Sequence, residues 1–314
     1  MRRLSRSALL AGLVLLLTPL GLWAQEAPEY KRTQDVIYGR KAGLALTMDV
    51  LTPKKANGVA IVAVISGGWF SGPEHIHPVL YTEFLKRGYT VFAVVHGSQP
   101  KFTVPEIIED IHRSIRFIRY HAKDYHVDPD RIGIMGASAG GHLSLMMGTT
   151  GKPGDPKAKD PIDRVSSKVQ AVACFFPPTD FLNFGAKGKE LINRGLQPPF
   201  TAAVDYHEYD KAKALYVPIT DEKKLREITR QISPIYHVKA DSAPALLIQG
   251  DKDTLVPLQQ AEVLVARYKE VGAKAELIVK KDAGHGWPTL ILDMASLADW
   301  FDKYLAKAKP GKGG

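Results

Sequence analysis

The stretch "DRIGIMGASAGGHLSLMMG", Asp130 to Gly148, decides how this chain is read. An apolar strand-like run, Arg131 to Met135, meets Gly136-Ala137-Ser138-Ala139-Gly140 and passes into a helix-like segment that closes near Gly148. The pattern is G-x-S-x-G between a strand and a helix, the context in which a serine sits on a sharp turn with small residues around it. The helix behind such a serine points its positive end at any negative charge that develops there. Ser138 is therefore the candidate nucleophile.

A serine hydroxyl needs a base, and the base needs an orienting acid. In a sheet of this kind the chain order is serine, acid, histidine. His285, in "VKKDAGHGWP", is the histidine of the C-terminal third that sits in a glycine-flanked loop after a strand, "AELIVK". Between them, "ALLIQGDKDTLVP" ends a strand at Gly250 and offers Asp251 and Asp253, which spacing alone does not separate. Further upstream, "VAVISGGWFSGP", Val62 to Pro73, ends a buried run on Gly67-Gly68. Two bare residues at a strand end imply a sharp turn or a close approach to the backbone.

Around these points, strand and helix signals alternate. "QDVIYGR" and "LALTMDVLTP" read as an opening hairpin with Gly43 near its turn, followed by the buried strands "VAIVAVIS" and "TVFAVVHG". "TEFLKRGY" reads as a helix closed by Gly88, and Val104 to about Tyr125 as an amphipathic helix with Ile107, Ile108, Ile111, Ile115 and Ile118 on one face. "VQAVACFF", "ALLIQG" and "AELIVK" add strands, and "LQQAEVLVARYKEVG" and "LILDMASLADWFDKYLAK" add helices. Apolar strands separated by helices predict an α/β fold with a mostly parallel central sheet covered on both faces. Residues 177–240, rich in aromatics, glycine and proline, break the rhythm and read as a cap-like insertion with helical pieces.

Composition bounds the rest. With 314 residues, 45% hydrophobic and 24% charged, the chain is globular rather than disordered or fibrous. Residues 1–24 carry Arg2, Arg3 and Arg6, then an apolar run, then Ala24, the pattern of a cleaved export signal, with an uncleaved N-terminal anchor as the alternative. This predicts a secreted or periplasmic protein, with no stable membrane insertion after cleavage. Loss of the three arginines lowers the formal net charge from +9 to +6. The lysines are scattered, without the aromatic-basic pattern of a nucleic-acid binder, and residues 308–314 read as a flexible basic tail. The single cysteine, Cys174, has no internal disulfide partner and lies in a core strand. His75 and His77 have no matching third ligand in sequence, so no metal is expected, and the serine chemistry read above needs no cofactor.

"GASAGG", "GDKDTLVP" and "GHGW" together resemble the α/β-hydrolase superfamily, and within it the secreted bacterial carboxylesterases similar to acetylxylan and feruloyl esterases. The hydrolase domain of prolyl-oligopeptidase-type peptidases is also similar. The resemblance covers roughly residues 35–307, which makes residues 25–307 a single α/β-hydrolase domain. It implies an acyl-enzyme mechanism with Ser138 as nucleophile and His285 as base. It also selects Asp253, the third residue after the strand-ending Gly250, as the acid. The family's His-Gly-Gly motif after an early strand reads here as Ser66-Gly67-Gly68-Trp69, which implies an oxyanion hole from the N–H of Ala139 and that of Gly68 or Trp69. Ser66 departs from the usual histidine, which is thought to brace this loop. Gly67, Phe70, Glu74, His75, Phe176 and Trp287 are pocket candidates, with His77, Asp180 and Phe181 nearby in sequence. The implied substrates are acetyl or feruloyl esters of polysaccharides, or small esters. A peptidase is the alternative reaction, disfavoured because the chain has no room for a large gating domain. A non-catalytic glycan-binding homologue is the other alternative, to which Ser66 alone lends support.

Overall fold

The structure, a computed structural model, describes residues 28–306. The expected export signal, 1–24, and the basic tail, 308–314, lie outside the described residues. The hairpin comprises β1 (Tyr30–Lys41) and β2 (Leu44–Pro53), joined at Ala42-Gly43. Both turn residues have positive φ, 47° and 78°, the geometry of a two-residue turn that matches strand twist. The wholly buried β3 (Ala60–Ile65) is followed by the short α1 (Thr82–Lys86), the buried β4 (Thr90–Val95) and α2 (Val104–Tyr120). Next come β5 (Ile132–Ala137), α3 (Ala139–Thr150) and β6 (Ala171–Phe175). The insertion contributes a small hairpin, β7 (His207–Asp210) with β8 (Leu215–Pro218), and α4 (Glu222–Gln231). The chain closes with β9 (Ala245–Gly250), α5 (Gln259–Glu270), β10 (Ala275–Lys280) and α6 (Met294–Leu305).

The main sheet has eight strands in the order β1-β2-β4-β3-β5-β6-β9-β10. Only β1 with β2 and β2 with β4 pair antiparallel; the others pair parallel. Alternate residues of each central strand feed two cores. Ala60, Val62 and Val64 pack with the isoleucines of α2 and with α3 and α5. Ile61, Ala63 and Ile65 pack with α1 and α6. This two-sided burial is why the strands read as unbroken apolar runs.

Three boundaries differ from the sequence reading. The long helix α2 stops at Tyr120, five residues earlier than expected, in a turn in which His126 has φ 55°. Helix α3 ends at Thr150, two residues beyond Gly148, which is a packing glycine, since a Cβ there would lie 2.5 Å from Val172 Cγ2. Within residues 177–240 the helical pieces are joined by the unexpected β7–β8 hairpin.

The parallel strands share a direction, so the chain ends of β3, β5, β9 and β10 open onto one edge of the sheet. Crevices outside those ends are where open α/β sheets bind ligands.

Candidate active site

Ser138 occupies the turn between β5 and α3 with φ 53° and ψ −120°, a conformation that side chains rarely adopt. Two glycines make the turn sterically feasible. A Cβ on Gly136 would lie 2.4 Å from the backbone of Gly140, and one on Gly140 would lie 2.8 Å from the Val64 carbonyl oxygen. The Ser138 N–H donates to the Phe175 carbonyl at 2.9 Å, which ties the turn to β6. Strain of this kind persists where its surroundings over-determine it.

The three residues nominated from sequence meet here. His285 Nε2 lies 2.9 Å from Ser138 Oγ, and His285 Nδ1 lies 2.7 Å from Asp253 Oδ2. Asp253 has a fully buried side chain. Its Oδ1 accepts from the N–H groups of Leu255 and Val256, both at 2.9 Å, and its Oδ2 accepts from Gln249 Nε2 at 2.9 Å. Those donors hold a charged carboxylate in place away from water. Asp251 makes no such contact, and its Oδ1 is buried without a partner among the described residues. The histidine turn is fastened to the acid loop by the Lys252 N–H donating to the Ala283 carbonyl at 2.9 Å. Phe176 packs on the imidazole with ring centroids 4.4 Å apart, and Trp287 packs behind Phe176 at 5.9 Å.

After β3 the chain makes a tight two-residue turn. Gly67 and Phe70 exchange both backbone hydrogen bonds at 3.0 Å, with Gly68 (φ 55°) and Trp69 (φ 63°) at the tip. The carbonyls of both tip residues are taken by Gln99, a buried residue just after β4. Its N–H donates to the Trp69 carbonyl at 3.1 Å and its side-chain amide donates to the Gly68 carbonyl. With the carbonyls held on one side, the Gly68 and Trp69 N–H groups have no acceptor among the described residues. A second tie runs from the indole. Trp69 Nε1–H donates to His142 Nδ1 at 3.3 Å, and His142 Nε2–H donates to the Ile232 carbonyl of the insertion at 2.6 Å. This pair of bonds requires the neutral imidazole with its proton on Nε2. Burial pushes His142 down to about 4, which keeps that form at ordinary pH. Ala139, the first residue of α3, adds a third N–H at the helix N-terminus.

The Ser66 hydroxyl is buried and has no partner among the described residues. The loop is therefore held from Gln99 and His142, two residues the sequence reading passed over. For His142 a signal existed: it follows Ser138 by four residues, one helical turn on. Gln249 had one too, as the polar residue in the apolar run "ALLIQG". Gln99 had none, because its partners are backbone atoms distant in sequence.

Two cavities flank Ser138. One, of about 50 Å³, is lined by Gly68, Trp69, Ser138 and Ala139 and is walled by side chains of the insertion. The other, of about 570 Å³, runs past Ser66, Gly67, Phe70 and Ala137 to His75 and His77. Among the pocket candidates, Gly67, Phe70 and His75 line this larger cavity. Phe176 and Trp287 instead support the imidazole. Glu74 lines neither cavity: it is exposed, with its carboxylate folded back against Gly72. Asp180 is a local cap that accepts the Leu182 N–H at 3.0 Å, whereas Phe181 lines the small cavity. Cys174 is buried in β6, where desolvation pushes its thiol far up and leaves it inert.

Known proteins share this architecture. The chain is 26% identical over 256 residues to the probable carboxylic ester hydrolase LipM of Mycobacterium tuberculosis, covering 77% of this chain and 53% of that protein. It is 25% identical over 248 residues to the esterase LipQ of the same organism, covering 77% and 54%. The chain thus spans about half the length of these relatives. Among solved structures, a truncated carbohydrate esterase from gut microbiota superposes with a TM-score of 0.69 at 24% identity, covering 90% of this chain and 99% of that one. The esterase Est2 of Thermogutta terrifontis superposes with a TM-score of 0.64 at 24% identity, covering 91% and 95%. These likenesses identify the α/β-hydrolase fold. The BD-FAE family model matches residues 48–268, which take in the Ser138 turn, the Gln99 brace and Asp253 and stop short of His285. With most of its length matched, this chain belongs to the BD-FAE family.

Proposed function

We propose that the protein is a secreted serine carboxylic ester hydrolase that works through an acyl-enzyme on acetyl or feruloyl esters of polysaccharides, or on small esters. The observation that carries this reading is the unbroken relay Ser138 Oγ, His285 Nε2, His285 Nδ1, Asp253 Oδ2, with hydrogen-bond distances of 2.9 and 2.7 Å at its two links. Relatives described as ester hydrolases support it, as does the neighbour described as a carbohydrate esterase. Export rests on the leader-like residues 1–24; among the described residues, no helix is long and apolar enough to cross a membrane.

In this mechanism His285 Nε2 takes the proton of Ser138 as its oxygen adds to the ester carbonyl. The negative oxygen is met by the N–H groups of Ala139 and of Gly68 or Trp69. Asp253 holds the imidazole in the right tautomer and stabilises its charged form. His285 then delivers the proton to the departing alcohol oxygen. Water, deprotonated by the same histidine, releases the acid and restores Ser138.

The test is turnover of p-nitrophenyl acetate and acetylated xylan by the wild type and by Ser138→Ala, with a dipeptidyl nitroanilide as the amide control. Ester turnover lost in Ser138→Ala supports the reading. Ester activity retained in that variant, or amides cleaved faster than esters, sinks it.

A further inference from the structure

We infer that the cavity of about 50 Å³ receives the acyl group and that Phe200, from the insertion, sets its length limit. This rests on the reading of Ser138 as the nucleophile. The cavity contains Ser138 and all three candidate oxyanion residues, so a carbonyl whose oxygen faces those N–H groups places a neighbouring substituent in it. His285, which must hand a proton to the leaving alcohol, does not line it. Nor does it line the larger cavity of about 570 Å³; the imidazole packs on Phe176, beside Phe175, which does. The alcohol therefore lies on the side of the imidazole, outside the smaller cavity, and the acyl chain occupies that cavity.

Size then decides the substrate class. A cavity of about 150 Å³ accommodates benzene, and one water claims about 30 Å³ of liquid volume. At about 50 Å³, the space suits an acetyl to butyryl chain, roughly two to four carbons, and is about a third of the volume that accommodates benzene. Its walls are Phe181, Phe184, Leu196 and Phe200, with Leu255 from the acid loop. Among these walls, Phe200 lies against Gly68. A Cβ on Gly68 would lie 2.2 Å from its ring, so the phenyl rests directly on the oxyanion glycine. The consequence is a preference for short acyl groups, which narrows the proposed substrates to acetyl and similarly short acyl esters and sets aside ferulate.

The experiment measures kcat/KM for p-nitrophenyl acetate, butyrate and hexanoate, and for methyl ferulate, in the wild type and in Phe200→Ala. The wild type is expected to lose at least about tenfold from butyrate to hexanoate, the size of effect that misfitting methylenes have in a tight apolar pocket. Methyl ferulate is expected to be slower than the acetate. Phe200→Ala should raise the hexanoate-to-acetate ratio by about tenfold or more. Leu196→Ala, on the same wall, serves if Phe200→Ala fails to fold, and should shift the ratio the same way. A wild type that hydrolyses hexanoate or ferulate as fast as acetate overturns the assignment while leaving the esterase reading intact, and so does an unchanged ratio in a folded variant. If the wild type cleaves none of these esters, the esterase reading falls and takes this inference with it.

Discussion

Single residues divide cleanly between those held by charge-assisted bonds and those that merely lie nearby. Asp253 receives four donors, counting His285 Nδ1–H, whereas Asp251 Oδ1 is buried with no partner among the described residues. Asp253→Asn should lower kcat by about 10⁴, the cost of presenting the imidazole in the wrong tautomer, while Asp251→Asn stays within a few-fold; steady-state kinetics on p-nitrophenyl acetate checks both. Gln99 is the less obvious member of the site. Gln99→Ala removes the side-chain bond to the Gly68 carbonyl and loosens the turn that aims two N–H groups. It should lower kcat by about 10- to 100-fold with KM little changed, somewhat less than deleting an oxyanion donor outright. A larger change in KM than in kcat would show that Gln99 shapes binding instead. Ser138 and His285 were legible in sequence because each belongs to a local pattern. Gln99 was not, because hydrogen bonds to distant carbonyls leave no local trace.

Elements were legible to the extent that burial imposed a period. The central strands are apolar throughout because both sheet faces are covered, and α2 shows one stripe of isoleucines because it covers one face. The β7–β8 hairpin is illegible in sequence for the opposite reason. Its strands are four residues each and mostly exposed, and its turn places Ala214, not glycine or asparagine, at positive φ (52°). Its tyrosines, Tyr209 and Tyr216, pair with each other at 5.5 Å rather than with the core. Helix α3 carries the sharpest conflict between local and tertiary rules. Propensity favours Gly148→Ala by up to about 1 kcal/mol. Contact with Val172, itself fully buried, makes the same change an overpacking mutation costing about 1–3 kcal/mol. Urea denaturation should show net destabilisation, relieved in Gly148→Ala combined with Val172→Ala. A single variant more stable than wild type would mean that β6 yields to the extra methyl.

At the scale of the whole molecule, burial of histidine couples stability to acidity. His96, His112 and His142 are all pushed down to about 4, in each case chiefly by desolvation, although Glu109 opposes the shift at His112. An unfolded histidine titrates near about 6.5. Between these values the unfolded chain binds more protons than the native one, so the stability these groups contribute is present above about pH 6.5 and is lost as pH falls toward 4. The urea midpoint should fall steadily from pH 7 to about pH 4.5, with a slope exceeding one proton. A flat profile across that window would contradict the neutral buried imidazoles. Protonation of His142 Nδ1 would also set two N–H groups against each other at Trp69, so the oxyanion turn should lose its indole tie in the same range.

What the sequence determined by itself was whatever depends on neighbours along the chain. The strand–Ser138–helix turn, the two-sided sheet, the loop positions of His285 and of the pair Asp251 and Asp253, and the glycines at the tip after β3 all follow from local periodicity and small-residue requirements. Tertiary structure set Asp253 rather than Asp251 against the imidazole, a choice the family resemblance implied and spacing left open, and it alone gave the bracing of the turn after β3 to Gln99 and His142. It also laid Phe200 across Gly68, 132 positions away in the chain. These outcomes depend on where the parallel strands end relative to one another and on how the insertion folds back over them. Such distances are set by packing between elements, which the order of residues within any one element does not encode.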